Sequence, residues 1–435
     1  MNDLFNSLPF RPADILLPKD CEYSKWSVVA CDQYTSQPEY WQRVEEYVGR
    51  APSALRLILP ESCLEGPNVE TDIMEINNTM SRYLREGRFV CHPGAVFYVE
   101  RTLDSGKVRR GLVGMVDLEQ YNYEPGSGTP IRATEGTVLS RIPPRVAVRK
   151  NAPIELPHVM LLMDDPDRTV IEPLAGQTDG MEKLYDFQLM ERGGRIRGWA
   201  LTQEQQEQIA RALSALAEPE AFRARYGLEG DTPVLLFAVG DGNHSLATAK
   251  ECYERQKSIT PPEQWDRLPA RYALVELNNL HDDSLEFEPI HRVVFGVEPE
   301  QLLEALTAAC PGAFRTRPEE PAPAGAHVLP YLYGGQRGAV VVPRPQCQLP
   351  VGTLQSFLDQ YLLQTPGSRV DYIHGADVVE QLSARPGTVG FLLPPMGKEA
   401  LFPTVIRDGV LPRKTFSMGE AHDKRFYLEA RRIRE

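Results

Sequence analysis

The run Thr232–Lys250, TPVLLFAVGDGNHSLATAK, constrains this chain more than any other stretch. Val234 to Val239 are all apolar, and the run is bounded by Asp-Thr-Pro before it and Gly-Asp-Gly after it, which predicts a fully buried strand. Gly240 and Gly242 permit a sharp turn, and Gly242 is free to take φ > 0 because it has no Cβ. Leu246, Ala249 and Tyr253 then fall at helical spacing, so a helix is expected to start near Asn243, a good N-cap residue. A strand, a glycine turn and a helix N-terminus aim unpaired N–H groups and the positive end of the helix dipole at one spot, which suits an anion. Asp241, Asn243, His244 and Ser245 add an acid, an amide, an imidazole and a hydroxyl around it. The plainer alternative is a tight turn followed by a capped helix.

Other segments carry polar groups next to likely core elements. The expected strand Trp26–Ala30 opens into Cys31-Asp32-Gln33-Tyr34-Thr35. Ser36 and Glu39 then form a capping-box pattern ahead of a helix that ends at Gly49. Asp32 suits a metal ion or the polarisation of a hydroxyl, as well as a solvated loop. Arg132, Thr134, Glu135, Arg141 and Arg145 bracket a threonine pair and a glycine, and guanidinium groups bind phosphate bidentately. A solvated basic edge is the other reading of that stretch. Near the C-terminus Arg413, Lys414, Thr415 and Ser417 form a basic, hydroxyl-bearing loop fit to clamp a carboxylate or phosphate. Asp164-Asp165 at a strand end suits either Mg²⁺ or a hydrated turn. His281 and His291 are weaker candidates, and Arg425–Arg434 reads as a charged helix with a solvated face.

Several runs resemble a bacterial and archaeal family catalogued as domain of unknown function 1015: DGNHSLATA, VACDQYTSQPEYW, RATEGTVLSRIPPR, ARYALVELNNLHDDSLEFEPIHRVVF and LPRKTFSMGEA. Together these runs extend the resemblance over nearly the whole chain, but the family carries no activity. The DG-x-H element is also similar to the phosphate-binding turn of the ParB/sulfiredoxin-like superfamily, which includes nucleotide-dependent free serine kinases. This chain departs from that pattern, with Ser245 where an arginine is usual and Asn243 where a histidine is common. On this resemblance the phosphate-contacting guanidinium must come from elsewhere.

The formal net charge of −13 over 435 residues argues against a nucleic-acid binder that works by phosphate neutralisation. No apolar run approaches a bilayer span and no signal-like segment opens the chain, so a cytoplasmic location is expected. Seven scattered cysteines with no C-x-x-C predict reduced thiols rather than a disulfide framework or a zinc cluster. Strands alternating with helices and hairpins predict an α/β or α+β fold with a mixed sheet and the phosphate-binding turn. Residues 1–310 are expected to form the main domain. After the Pro/Gly-rich stretch at 311–325, residues 311–435 are expected to form a smaller C-terminal portion packed against it.

The function expected is a nucleotide-dependent small-molecule kinase, with free serine as the acceptor the superfamily resemblance implies. ATP or ADP would be the donor. Mg²⁺ would be held by Asp32 or Asp241, and either carboxylate would serve as base. His244 would contact the phosphate or shuttle a proton. Gly240, Gly242, Asn243 and Ser245 would cradle the phosphates, with Arg132, Arg141, Arg413 or Lys414 as cations. Two rivals stand beside it: a phosphomonoester hydrolase using the same pocket, and a non-catalytic nucleotide sensor. The partner expected is a small molecule, with neither nucleic acid nor membrane, and a homodimer is left open.

Overall fold

The computed structural model describes residues 3–35, 37–64 and 66–434. Ser36, of the capping-box pattern, lies outside the described residues. The chain divides into two compact units: Met1–Leu285 with Gly419–Glu435, and Glu286–Met418. The expected boundary at 310 falls inside the second unit, just after the helix Pro299–Ala309.

The first unit is built on a ten-stranded mixed sheet. Its strands are β1 (Phe10–Arg11), β2 (Phe97–Thr102), β3 (Val108–Asp117), β4 (Tyr121–Asn122), β5 (Ile131–Arg132), β6 (Met160–Met163), β7 (Glu182–Gln188), β8 (Arg195–Ala200), β9 (Phe237–Asp241) and β10 (Tyr272–Asn279). They lie in the order β7-β8-β2-β3-β10-β6-β9-β5-β4, and β1 pairs with β3 off this path. Along the run β7-β8-β2-β3-β10 each strand is antiparallel to the next, with β7–β8 and β2–β3 as hairpins. β6 is parallel to β10 and antiparallel to β9, whereas β9, β5 and β4 are mutually parallel. β6 and the first residues of β9 are buried, which is why they read as unbroken apolar runs.

Helices of this unit include α1 (Pro38–Val48), α2 (Val69–Arg85), α3 (Ile142–Arg149), α4 (Gln203–Leu216) and α5 (Asn243–Lys257), of which α2, α3 and α5 contribute residues to the site. α4 starts on a capping box, in which the Thr202 hydroxyl accepts from the Gln205 N–H and the Gln205 side chain reaches back to the Thr202 backbone. α5 buries Leu246, Ala249 and Tyr253, the residues whose spacing predicted it.

The C-terminal segment differs from the expected charged helix. It is extended: Phe426–Tyr427 pairs with Val28–Val29, Arg431–Arg432 pairs with Ile154–Glu155, and Ala430 bridges to Leu16. Arg425, Glu429 and Arg431 are buried, whereas Arg432 and Arg434 are exposed. The Arg425 guanidinium is 1% exposed and donates to Glu276, to Glu429 (2.5 Å) and to the Pro157 carbonyl (3.2 Å). Arg431 donates to Glu155 (2.8 Å) and to the carbonyls of Pro269 and Tyr272. A buried guanidinium is tolerated where paired carboxylates and carbonyls take up its donors, and that pairing holds the segment straight across the unit.

The second unit carries a six-stranded sheet whose pairs are all antiparallel, in the order Phe314–Thr316, Gln336–Val342, His327–Tyr333, Thr388–Phe391, His291–Phe295, Arg369–Ile373. Arg413, Lys414 and Ser417 belong to this unit, where the carbonyls of Arg413 and Lys414 accept from the buried Arg292. Arg413 itself pairs with Asp359 at 2.5 Å. The His291 ring accepts from the Leu393 N–H at 3.1 Å, a structural role. Among the described residues no helix is long and apolar enough to cross a membrane.

Candidate functional site

β9 delivers Asp241 to the edge of the core, Gly242 turns the chain, and α5 begins at Asn243. Gly242 has φ 85°, and a Cβ there would meet Val159 at 3.1 Å and the His158 ring at 3.3 Å. Glycine is therefore demanded twice, by the left-handed backbone and by the lack of room. The N-cap position falls on Gly242 rather than on Asn243, so no side chain caps α5. The Asn243 amide is turned instead to Thr134: Oδ1 accepts from the Thr134 N–H (3.1 Å) and Nδ2 donates to its hydroxyl (3.2 Å). That hydroxyl donates to the Val239 carbonyl at 2.6 Å, stapling the 132–137 stretch to the turn. The first N–H groups of α5 have no carbonyl one turn back to satisfy them.

Charged groups gather beside this helix end. Lys424 Nζ lies 3.4 Å from Asp241 Oδ1, while Asp241 Oδ2 is buried with no hydrogen-bond partner. Burial would raise the Asp32 carboxyl, but His158, a hydrogen bond from Gln33 (3.1 Å) and Lys424 outweigh it and lower its pKa. Asp32 is therefore ionised at neutral pH. Arg145 pairs with Glu61 at 2.6 Å. The Ser245 hydroxyl is 2.7 Å from His158 Nε2, and His158 Nδ1 is 2.8 Å from the Tyr427 hydroxyl, which donates to Cys31 Sγ at 3.1 Å. Cys31, Asp32, Glu61, Arg145, His158, Ser245 and Tyr427 all line one cavity of about 170 Å³. Ser245, Leu246, Thr248 and Ala249 of α5 form part of its wall, so the helix face lines it rather than the glycines of the turn.

His244 stands next to this cluster. Its Nε2 accepts from the Val138 N–H at 3.3 Å, and a neutral imidazole accepting there carries its proton on Nδ1. Burial, followed by Arg145 and Arg141, holds it down to about 4, against Glu61 and Asp32. The unfolded chain binds this proton near pH 6.5, so between about 6.5 and 4 the unfolded state takes up more protons. The stability His244 contributes is thus present above pH 6.5 and lost as pH falls towards 4. In His244→Gln, urea midpoints measured from pH 7 to pH 4 are expected to fall less steeply than in the parent. Equal slopes would contradict the buried neutral imidazole.

Several sequence candidates take other roles. Arg132 does not line the cavity; it donates to the carbonyls of Thr129 (2.8 Å) and Pro233 (2.9 Å) and braces the chain entering β9. Arg141 is exposed; its carbonyl accepts from Arg145 at 2.9 Å and its charge acts on His244. Glu135 is partly exposed on the stapled stretch. Asp165 accepts the N–H groups of Thr169 (2.6 Å) and Val170 (2.9 Å), and Asp164 pairs with His281 at 2.6 Å, so that strand end is a structural turn. His158, Tyr427, Glu61 and Lys424 were missed. For Lys424 the available signal was its place in the closing run LPRKTFSMGEAHDKRF.

Among the described residues no group of three or more His, Cys, Asp or Glu could hold a metal ion. Mg²⁺ usually takes one or two carboxylates together with phosphate oxygens, and the unpartnered Oδ2 of Asp241 and the ionised Asp32 fit that smaller demand. The seven cysteines are free thiols.

Fold and site together define a mixed α/β protein with a polar cluster at an uncapped helix end beside a small cavity. The chain belongs to the DUF1015 family, described as a protein of unknown function, whose model matches residues 9–361. No curated protein matches it. Solved structures similar to it include a free serine kinase in complex with AMP, at 10% identity over 72% of this chain and 90% of that chain, with a TM-score of 0.39. A conserved hypothetical protein from Pyrococcus furiosus matches at 12% identity over 72% and 90%, with a TM-score of 0.35. SbnI with a C-terminal truncation from Staphylococcus aureus matches at 9% over 71% and 82%, also with a TM-score of 0.35. At such scores the likeness carries no functional weight, and the chemistry of this chain rests on its own residues.

Proposed function

We propose that the first unit is a nucleotide-dependent kinase acting on a small hydroxylated metabolite. The observation that carries this reading is the buried, unpartnered carboxylate oxygen of Asp241 beside the uncapped N-terminus of α5. A carboxylate beside a helix N-terminus is itself favourable, but a phosphate held at the same helix end would meet Asp241 as a like charge, and a divalent cation on the unpartnered Oδ2 would offset that repulsion. Mg²⁺ bound to Asp241 would supply charge neutralisation to a transferring phosphoryl group. The N–H groups of α5 would hold phosphate oxygens, and Lys424 would offset the developing negative charge. Neutral His244 would offer its Nδ1 proton to a phosphate oxygen. Asp32, ionised and lining the cavity, would accept the proton of the acceptor hydroxyl. A cavity of about 170 Å³ suits the acceptor, since small-molecule sites for drug-sized ligands start near about 300 Å³. The nucleotide would therefore lie outside it.

A hydrolase reading is favoured by one feature, the Ser245–His158–Tyr427 chain, in which a hydroxyl, a base and a group orienting that base stand in hydrogen-bond reach. Labelled ATP or ADP with Mg²⁺, offered to a panel of amino acids and polyols with free serine first, separates the two. Label in an acceptor is the expected result. Phosphate released from a phosphomonoester panel, with no labelled acceptor, would give the site to the hydrolase. Nucleotide binding with neither product would make the protein a sensor.

A further inference from the structure

The cavity beside α5 is more apolar than an acceptor the size of serine requires. Its charged and polar members are largely engaged with one another. Glu155 is held by Arg149 (2.5 Å), Arg431 and the Leu274 N–H, Arg145 by Glu61, and Ser245, His158, Tyr427 and Cys31 form one hydrogen-bonded chain. Much of the remaining lining is hydrocarbon: Leu57, Leu59, Met80, Val148, Ile154 and Leu274. Ala152, Ala249 and Ala273 are the small residues that leave the space open. A space of about 150 Å³ is enough for a benzene-sized guest, and this cavity is about 170 Å³. A guest that fills it removes apolar surface from water on both sides of the contact.

We propose that the metabolite bound here is an amphiphile, a hydroxyl-bearing polar head with a branched-aliphatic or phenyl-sized group that occupies this cavity. The proposal rests on reading the cavity as the acceptor pocket of the proposed kinase, and it names the substrate class. The Asp32 carboxylate and the Ser245–His158 pair meet the head, while the leucines, Met80 and Val148 receive the tail.

The test is calorimetric binding, without nucleotide, of a series with one head group: L-serine, L-threonine, β-hydroxyleucine and 3-phenylserine. Affinity is expected to rise about tenfold or more from serine to the two tailed members. Val148→Phe, which fills the space from the half-buried face of α3, should erase that preference. Val148→Ala, the variant less apt to disturb folding, should widen it towards 3-phenylserine. A flat series, serine binding tightest, no binding by any member, or a tail preference unchanged in both variants would overturn the proposal. Because binding is read without nucleotide, tailed ligands that bind and accept no label would remove the kinase reading and leave this inference standing. Label entering serine with no tail preference would do the reverse.

Discussion

Arg425→Ala is expected to lose about 3–5 kcal/mol of stability, a large share of the about 5–15 kcal/mol that keeps a native protein folded. The guanidinium is 1% exposed and serves Glu276, Glu429 and the Pro157 carbonyl at once. Removing it strands two carboxylates, of which Glu276 is 3% and Glu429 0% exposed, in a setting where an unpaired charge is costly. Tyr185 donates to Glu429 at 2.6 Å, and Arg109 lies 3.7 Å from Glu276, so the damage spreads through a linked network. Arg425→Lys should lose less, since one ammonium keeps the charge but not the fork. Burial would raise the Glu276 carboxyl, but Arg425 and Arg109 lower it. A lowered carboxylate stabilises above its unfolded value of about 4.3 and loses that contribution as pH falls through the folded value. Urea unfolding of the three proteins at pH 7 is the measurement. A change below about 1 kcal/mol in Arg425→Ala would show that the network does not hold the C-terminal segment.

Asp32→Asn is expected to cut the rate of acceptor phosphorylation by about 10²–10⁴-fold, the usual contribution of a positioned base, with the fold intact. Asp32 sits on a loop at the cavity, and Asn preserves its shape. The same carboxylate makes a prediction about pH. Because His158, Gln33 and Lys424 lower its pKa in spite of burial, it stays ionised down through the ordinary carboxylate range. The rate should therefore show no acid limb from this group until below about pH 4. His244→Ala should cost about 10²-fold or more if its Nδ1 proton meets the transferring group. Asp32→Asn at the parental rate would remove Asp32 as the base.

What was legible in the sequence is what local chemistry determines. The strand-turn-helix at 237–257 followed from an apolar run, a glycine with φ > 0 and helical spacing, all within a few residues of one another. The hairpin of β7 and β8, the capping box at Thr202 and the helix Pro299–Ala309 are likewise formed by residues close together in the chain. The C-terminal strand was not legible, because Arg425, Glu429 and Arg431 look solvated until their partners at 276, 185 and 155 are known. His158 was hidden for a similar reason. Nothing near it in the chain announces that Ser245 and Tyr427, 87 and 269 residues away, share its ring. Arg132 shows the opposite error, since a guanidinium beside a glycine and threonines suits phosphate or backbone carbonyls equally well until the carbonyls are placed. The first unit's return at Gly419 was likewise out of reach, because composition marks a loop but not where a chain comes back.

A crystal structure with Mg²⁺ and ADP is the sharpest test of whether the α5 end, with Asp241 and Lys424, handles a phosphoryl group. The terminal phosphate is expected on the N–H groups at the start of α5, the metal on Asp241 Oδ2 and Lys424 Nζ turned to a phosphate oxygen. Nucleotide bound elsewhere, with Asp241 still paired to Lys424 and the start of α5 bare, would contradict that role.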